Sequence, residues 1–174
     1  MYISNPYTHR LHIRQLQLND VPAWTEFFID NPSLHFLGLD ITVAPQQQAT
    51  AWIQRQLKRY EDGLYGHLAL TDRESGTLIG QCGLLVQEVE GKKEIEIGYH
   101  ILRRYQGHGY ATEAATHFRQ QAFAARICDS LISMIHIDNI KSQRVAEKNG
   151  MTKTIQTDCF QMPVYIYRTT QAAE

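Results

Sequence analysis

A chain of 174 residues can bury one hydrophobic core without metal or disulfide support, so a single domain over residues 1–174 is expected. Hydrophobic and charged contents of 43% and 20% are those of a globular protein, and a formal net charge of −1 excludes the basic footprint that nucleic acid or an anionic membrane needs. No run reaches the ~20 apolar residues of a membrane span, the first residues do not read as a signal peptide, and three scattered cysteines without a Cys-x-x-Cys pair read as reduced, so a cytoplasmic location is expected.

Residues 9–14 alternate apolar and polar side chains, which predicts a first strand. Asn19-Asp20 offers an N-cap and Pro22 suits a first turn. Trp24, Phe27 and Phe28 share one face of the helix that follows, and Asn31-Pro32 stops it. A second helix begins near Pro45, with Ala49, Trp52, Ile53, Leu57 and Tyr60 at helical spacing as far as Gly63. Residues 65–71 and 77–89 read as strands joined by a turn over 72–76. Glu90-Gly91-Lys92 then turns the chain into a further strand over 93–101.

Directly after that strand stands Arg104-Tyr105-Gln106-Gly107-His108-Gly109-Tyr110-Ala111-Thr112-Glu113-Ala114, which runs into a helix over 110–126. Strand, glycine turn and helix start aim several backbone N–H groups at one small volume. The unpaired amides and the positive end of the helix dipole favour a phosphate there. Glycine allows close approach and positive φ. The stretch is therefore a candidate pyrophosphate cradle, with a plain helix-capping turn as the other reading. No Lys follows either glycine, which excludes a P-loop, and Thr112 stands where a Rossmann fingerprint needs Gly or Ala.

Residues 131–137 predict an apolar strand, followed by a short helix ending at Gly150 and strands over 151–157 and 160–170. The order is strand, two helices, three antiparallel strands, helix, strand, helix, two strands. That is an α+β arrangement of one mixed sheet with helices on its faces. Asn139 stands where strand becomes helix and suits an N-cap, with Ser142 one turn on and on the same side. Glu96 alternates with Ile95 and Ile97 and shares its face with Glu94, which fits a solvated charge or a proton relay. Eight histidines are scattered without a His-x-x-x-His pair or a Cys/His cluster, so no metal site is expected.

The spacing Arg104-x-x-Gly107-x-Gly109 resembles the coenzyme-A pyrophosphate loop of the GNAT superfamily of N-acetyltransferases. Three blocks resemble its RimJ/RimL-like, ribosomal-protein N-terminal acetyltransferase branch. They are Leu78-Ile79-Gly80-Gln81-Cys82-Gly83-Leu84; Glu96-Ile97-Gly98-Tyr99-His100-Ile101 with residues 106–114 behind it; and residues 139–151. The resemblance covers essentially the whole chain. It implies the GNAT fold: one mixed, mostly antiparallel sheet with helices on both faces and a splayed strand pair holding coenzyme A. It also implies acetyl-CoA as co-substrate, no metal, and direct attack by a primary amine in a ternary complex. A protein or peptide N-terminus is the expected acceptor. The alternatives are a small amine (polyamine, amino acid or antibiotic) or a non-catalytic coenzyme-A-binding sensor. A monomer or homodimer is expected.

The same resemblance distributes roles. The backbone of Tyr99, His100 and Ile101 would lie along the pantetheine arm, with Gly98 allowing close approach unless it marks a β-bulge. Arg104, Gln106, Gly107, His108, Gly109, Tyr110, Ala111 and Thr112 would hold the pyrophosphate, and Asn139 and Ser142 would also touch the coenzyme. The Tyr99 N–H would receive the oxyanion, Ser142 would protonate the thiolate, and Glu96 would take the amine proton through water. Many related enzymes place a tyrosine near Ser142, whereas here none follows until Tyr165. An α-amine is about a tenth neutral at pH 7 and a lysine less than roughly a thousandth, so an N-terminal acceptor has little need of a dedicated base. Residues 20–45 are expected to border the acceptor. They are mainly aromatic and aliphatic, with Asp20, Glu26, Asp30 and Asp40 as their acids.

Overall fold

A computed structural model describes residues 2–171. Its strands are β1 (Leu11–Arg14), β2 (His67–Asp72), β3 (Leu78–Val89), β4 (Lys92–Ile101), β5 (Ser130–His136), β6 (Thr152–Cys159) and β7 (Met162–Thr170). They form one sheet in the order β1-β2-β3-β4-β5-β7-β6, and β4 with β5 is its parallel pair. The helices are α1 (Val21–Thr25), α2 (Pro45–Glu61), α3 (Tyr110–Ala124) and α4 (Ile140–Lys148). This is the expected mixed, mostly antiparallel sheet.

Side chains on alternate sides of each strand build two cores. Leu68 and Leu70 of β2 point to the face covered by α3, where Ile79, Ile97 and Ile101 pack against Ala115 and Phe118. Ala69, between them, points to the other face, with Trp24, Trp52 and Ile53 of α1 and α2. Each large apolar side chain sealed in this way contributes about 1.5–3 kcal/mol.

The first expected helix is broken. α1 ends at Thr25, and Glu26–Phe28 and Pro32–Leu37 follow as 3-10 turns. Asn31 starts the second of these rather than ending the run: its side chain accepts from Ser33 N and donates to Phe27 O, and Pro32 takes the first position. Asp20 does not cap α1 either. Its carboxylate binds the Arg14 guanidinium at 2.7 and 2.8 Å and Gln17 N at 2.8 Å, clamping the end of β1 to the turn beyond.

The feature that positions the site is the seam between β4 and β5. They share a single ladder pair, Glu96 with Ile132, and two further bonds, from Ser133 Oγ to Ile97 O at 2.8 Å and from Met134 N to Glu96 Oε1 at 3.3 Å. Past that point the strands part, while β5 stays paired with β7 along its whole length. Gly98, Tyr99 and His100 are therefore partly exposed in the middle of a sheet.

Gly98 pairs in register with Gly83, so no bulge explains it. Its hydrogen leaves room for the His67 ring, whose Nε2 would stand 2.6 Å from a Cβ there. His67 is only 4% exposed and has no free space behind it. Gly98→Ala should cost about 1–3 kcal/mol as an overpacked site. Thermal denaturation would show it as a lowered Tm, and an unchanged Tm would mean that the imidazole moves aside freely.

Candidate active site

A cavity of about 720 Å³ opens where β4 and β5 separate. It runs from the glycine loop and the first turns of α3 and α4, across the bared edge of β4, to an aromatic wall from residues 27–39 and α2.

Gly107 and Gly109 have φ of 81° and 83°, the left-handed region that side chains rarely enter. Little would touch a Cβ on either from within the protein, so backbone conformation demands these glycines. Gly109 precedes α3 with no capping side chain, leaving the first amides of the helix uncapped. Tyr110, Ala111 and Thr112, whose amides these are, line the cavity together with Gln106. Arg10 fastens the loop: its guanidinium donates to His108 O at 3.0 Å, pairs with Glu113 at 2.7 Å and lies 4.2 Å over the Tyr110 ring. Burial pushes the Glu113 carboxyl up. Bonds from Thr8 and Arg10 outweigh it and hold the group below the usual carboxylate range, turned aside from the uncapped amides.

Arg104 and His108 are not among the residues lining the cavity. Arg104 turns outward to Glu26 at 3.4 Å and lies over Tyr105, and the His108 carbonyl is taken by Arg10. The cations near this end of the cavity are instead Lys141, Arg144 and Lys148 of α4, with Arg55 of α2 also in the lining. The i, i+3, i+7 spacing of the three α4 residues puts them on one face of that helix, a signal that was readable in the sequence.

Asn139 caps α4 by accepting from Ser142 N at 3.2 Å, and both residues line the cavity. Ser142 Oγ donates to the Tyr99 hydroxyl at 3.2 Å, and that hydroxyl donates to Ser142 O at 2.9 Å. A phenol from β4 thus stands beside Ser142, although no tyrosine follows Ser142 in the chain until Tyr165. Burial pushes the Tyr99 phenol up against the opposing bond from Ser142, so it keeps its proton.

Glu96 lines the cavity but is only 8% exposed, which removes the reading of a solvated charge. Its two oxygens accept from Gln87 Nε2 at 2.6 Å and Met134 N at 3.3 Å. Burial raises its pKa and those bonds only partly offset the rise. Glu94 on the same strand face is held by Arg168 at 2.8 Å, and that bond lowers its pKa.

On the acceptor side, Phe27, Phe36, Leu37 and Leu39 join Trp52 in the wall, while Trp24, Phe28 and Leu34 are core. Phe160 of the β6–β7 turn and Met162 at the start of β7 join the lining, and Met162 Cε would stand 3.4 Å from a Cβ on Gly38. Asp20, Glu26 and Asp40 are engaged elsewhere, by Arg14, Arg104 and Thr42. Among the described residues Glu96 is the one carboxylate in the lining.

The family described as "Acetyltransferase (GNAT) domain" matches residues 10–152. An uncharacterized protein of Bacillus subtilis (strain 168), YkkB, is 31% identical over 167 residues, covering 92% of each chain. The crystal structure of an acetyltransferase from Agrobacterium tumefaciens str. C58 superposes with a TM-score of 0.77 at 28% identity, over 98% of both chains. RimL, a ribosomal alpha-N-protein acetyltransferase solved with coenzyme A, shares the fold at a TM-score of 0.75 and 17% identity, over 97% of this chain and 98% of its own. Splayed strands, uncapped helix start and family match converge: the chain belongs to the GNAT superfamily and is an acetyl-CoA-dependent N-acetyltransferase.

Proposed function

We propose that this enzyme acetylates the N-terminal amine of a protein or peptide, by direct attack in a ternary complex. One observation carries the reading: the acceptor side of the cavity is aromatic and aliphatic, with Glu96 as its one carboxylate among the described residues. Every ammonium that leaves water needs a partner, so one carboxylate suits one amine and leaves a polycation unpaired. Arg55 of α2 adds a positive charge to the same lining, which a polyamine would have to face. RimL, which shares the fold, bears the name of an alpha-N-protein acetyltransferase.

In this reading the uncapped amides of α3 hold the pyrophosphate, and Lys141, Arg144 and Lys148 neutralise the remaining phosphate charge. The bared edge of β4 at residues 99–101 pairs with the pantetheine arm as an added strand would. The Tyr99 N–H faces the developing oxyanion. Ser142 Oγ gives a proton to the departing thiolate, its hydroxyl turning from the Tyr99 oxygen to which it donates. Glu96 supplies the charge that draws in the acceptor's ammonium before it loses its proton.

Steady-state rates over a varied panel of short peptides with free N-termini should exceed those for spermidine and kanamycin in kcat/KM. A polyamine or aminoglycoside above every peptide would overturn the assignment.

A further inference from the structure

His100 stands two residues past Gly98 and on the same face of β4, where its imidazole lines the cavity and is partly exposed to it. Rings rather than hydrogen-bond partners surround it. Phe27, Trp52 and His67 meet it edge to face at 5.6, 5.0 and 5.0 Å, with interplanar angles of 77°, 87° and 87°. Three perpendicular rings leave the imidazole little freedom to rotate.

The rings around it are themselves fixed. Trp52 donates its indole N–H to Gln81 Oε1 at 2.8 Å, and Gln81 faces His100 across the β3–β4 ladder. His67 stacks on Trp52 at 5.9 Å and is sealed from solvent, with no partner for either ring nitrogen. An aromatic shell thus braces one accessible imidazole beside the residue whose N–H faces the reacting carbonyl.

We propose that His100 is a catalytic residue: its free ring nitrogen accepts an N–H hydrogen bond from the neutral amine and takes that proton as the C–N bond forms. The amine lone pair bonds to the thioester carbonyl carbon, and the carbonyl π pair moves to oxygen beside the Tyr99 N–H. One amine proton passes to His100. The C–S bond then breaks as the carbonyl re-forms, the thiolate takes a proton from Ser142, His100 returns its proton to water, and Ser142 regains one from water. No oxidant or other co-reactant is needed, and the step applies to any primary amine, whichever acceptor is correct.

The competing groups are less available. Glu96 is nearly sealed and has both oxygens occupied, so it acts on the ammonium through its charge and not by taking the proton, and it lies three residues from Tyr99 along the strand. The Nδ1 of His136 accepts from Asp138 N at 3.2 Å. His67 is closed off. Burial lowers the His100 pKa to about 4, so its lone pair is open at neutral pH. The oxyanion forming one residue away is the opposite charge that then favours the imidazolium.

His100→Gln keeps a hydrogen-bond acceptor but cannot hold the proton, and His100→Ala removes both. Each should lower kcat by about 10²-fold with the best amine in the panel, while calorimetry shows acetyl-CoA affinity within about 3-fold of wild type. Added imidazole should restore His100→Ala in a saturable way and leave His100→Gln unchanged. Melting curves establish that each variant is folded, and if the alanine variant is not, the glutamine variant decides. A folded His100→Gln with kcat within about 3-fold of wild type overturns the proposal. So does a folded His100→Ala whose loss lies wholly in acetyl-CoA affinity.

Discussion

Gly109→Val should weaken acetyl-CoA binding by about 10²–10⁴-fold, the equivalent of two charge-assisted hydrogen bonds at about 1.5–3 kcal/mol each. The reason is conformational. Gly109 sits at φ 83° immediately before α3, and a β-branched residue cannot stay there. The chain must rotate, and the amides of residues 110–112 rotate with it, away from the point on which they converge. A control separates strain from binding. Gly76 has φ 71° in the turn between β2 and β3, with nothing within 4 Å of its would-be Cβ. Gly76→Val carries a comparable backbone cost far from the cavity and should bind acetyl-CoA normally. Calorimetry on both, with melting curves to confirm folding, makes the comparison. Unchanged affinity in a folded Gly109→Val variant would remove the loop from the site.

The second large effect concerns protonation of the leaving group. Ser142→Ala should lower kcat by about 10²-fold with little change in acetyl-CoA affinity. Tyr99→Phe should do the same if the two hydroxyls act as one chain, and the double variant should then be no slower than the worse single one. The geometry allows a sharper distinction. The Tyr99 hydroxyl is anchored by the backbone carbonyl of Ser142, which the alanine variant keeps. If the phenol itself is the donor, Ser142→Ala will be nearly silent and Tyr99→Phe severe. Because the phenol's pKa is raised, this acid stays protonated past its ordinary range, so it contributes no falling limb to the rate profile below pH 10. Wild-type rates in both variants would assign the proton to water.

How much of this was legible follows from what each residue depends on. Strand order and α2 were readable because their signals are local: period two in the strands, helical spacing from Ala49 to Tyr60. The glycine loop was readable for the same reason, since positive φ and an uncapped helix start are properties of adjacent residues. Arg104 misled because charge and position in sequence do not reveal a competing partner, and Glu26 lies on a different element. The Tyr99 phenol was missed for the converse reason. It meets Ser142 across 43 positions of chain, and nothing in either neighbourhood announces the other. Gly98 reads in the sequence as a close-approach or bulge glycine, and the neighbour its hydrogen makes room for is a histidine on β2. Among residues 20–45, apolar character alone did not separate wall from core, because both uses of Phe27 and Phe28 satisfy the same pattern.

The seam between β4 and β5 also bears on how long the enzyme lasts. One ladder pair, the bonds of Ser133 and Met134, and the Arg168–Glu94 ion pair tie one leaf of the sheet, β1 to β4, to the other, β5 to β6. A sheet joined so thinly is missing a strand, and whatever occupies the gap completes it. A ligand held only by the folded chain, at a hundred times its Kd, adds about 2.7 kcal/mol to stability. The supply of acetyl donor would then govern the survival of the catalyst as well as its turnover, and starvation would thin the enzyme population before any regulator acted.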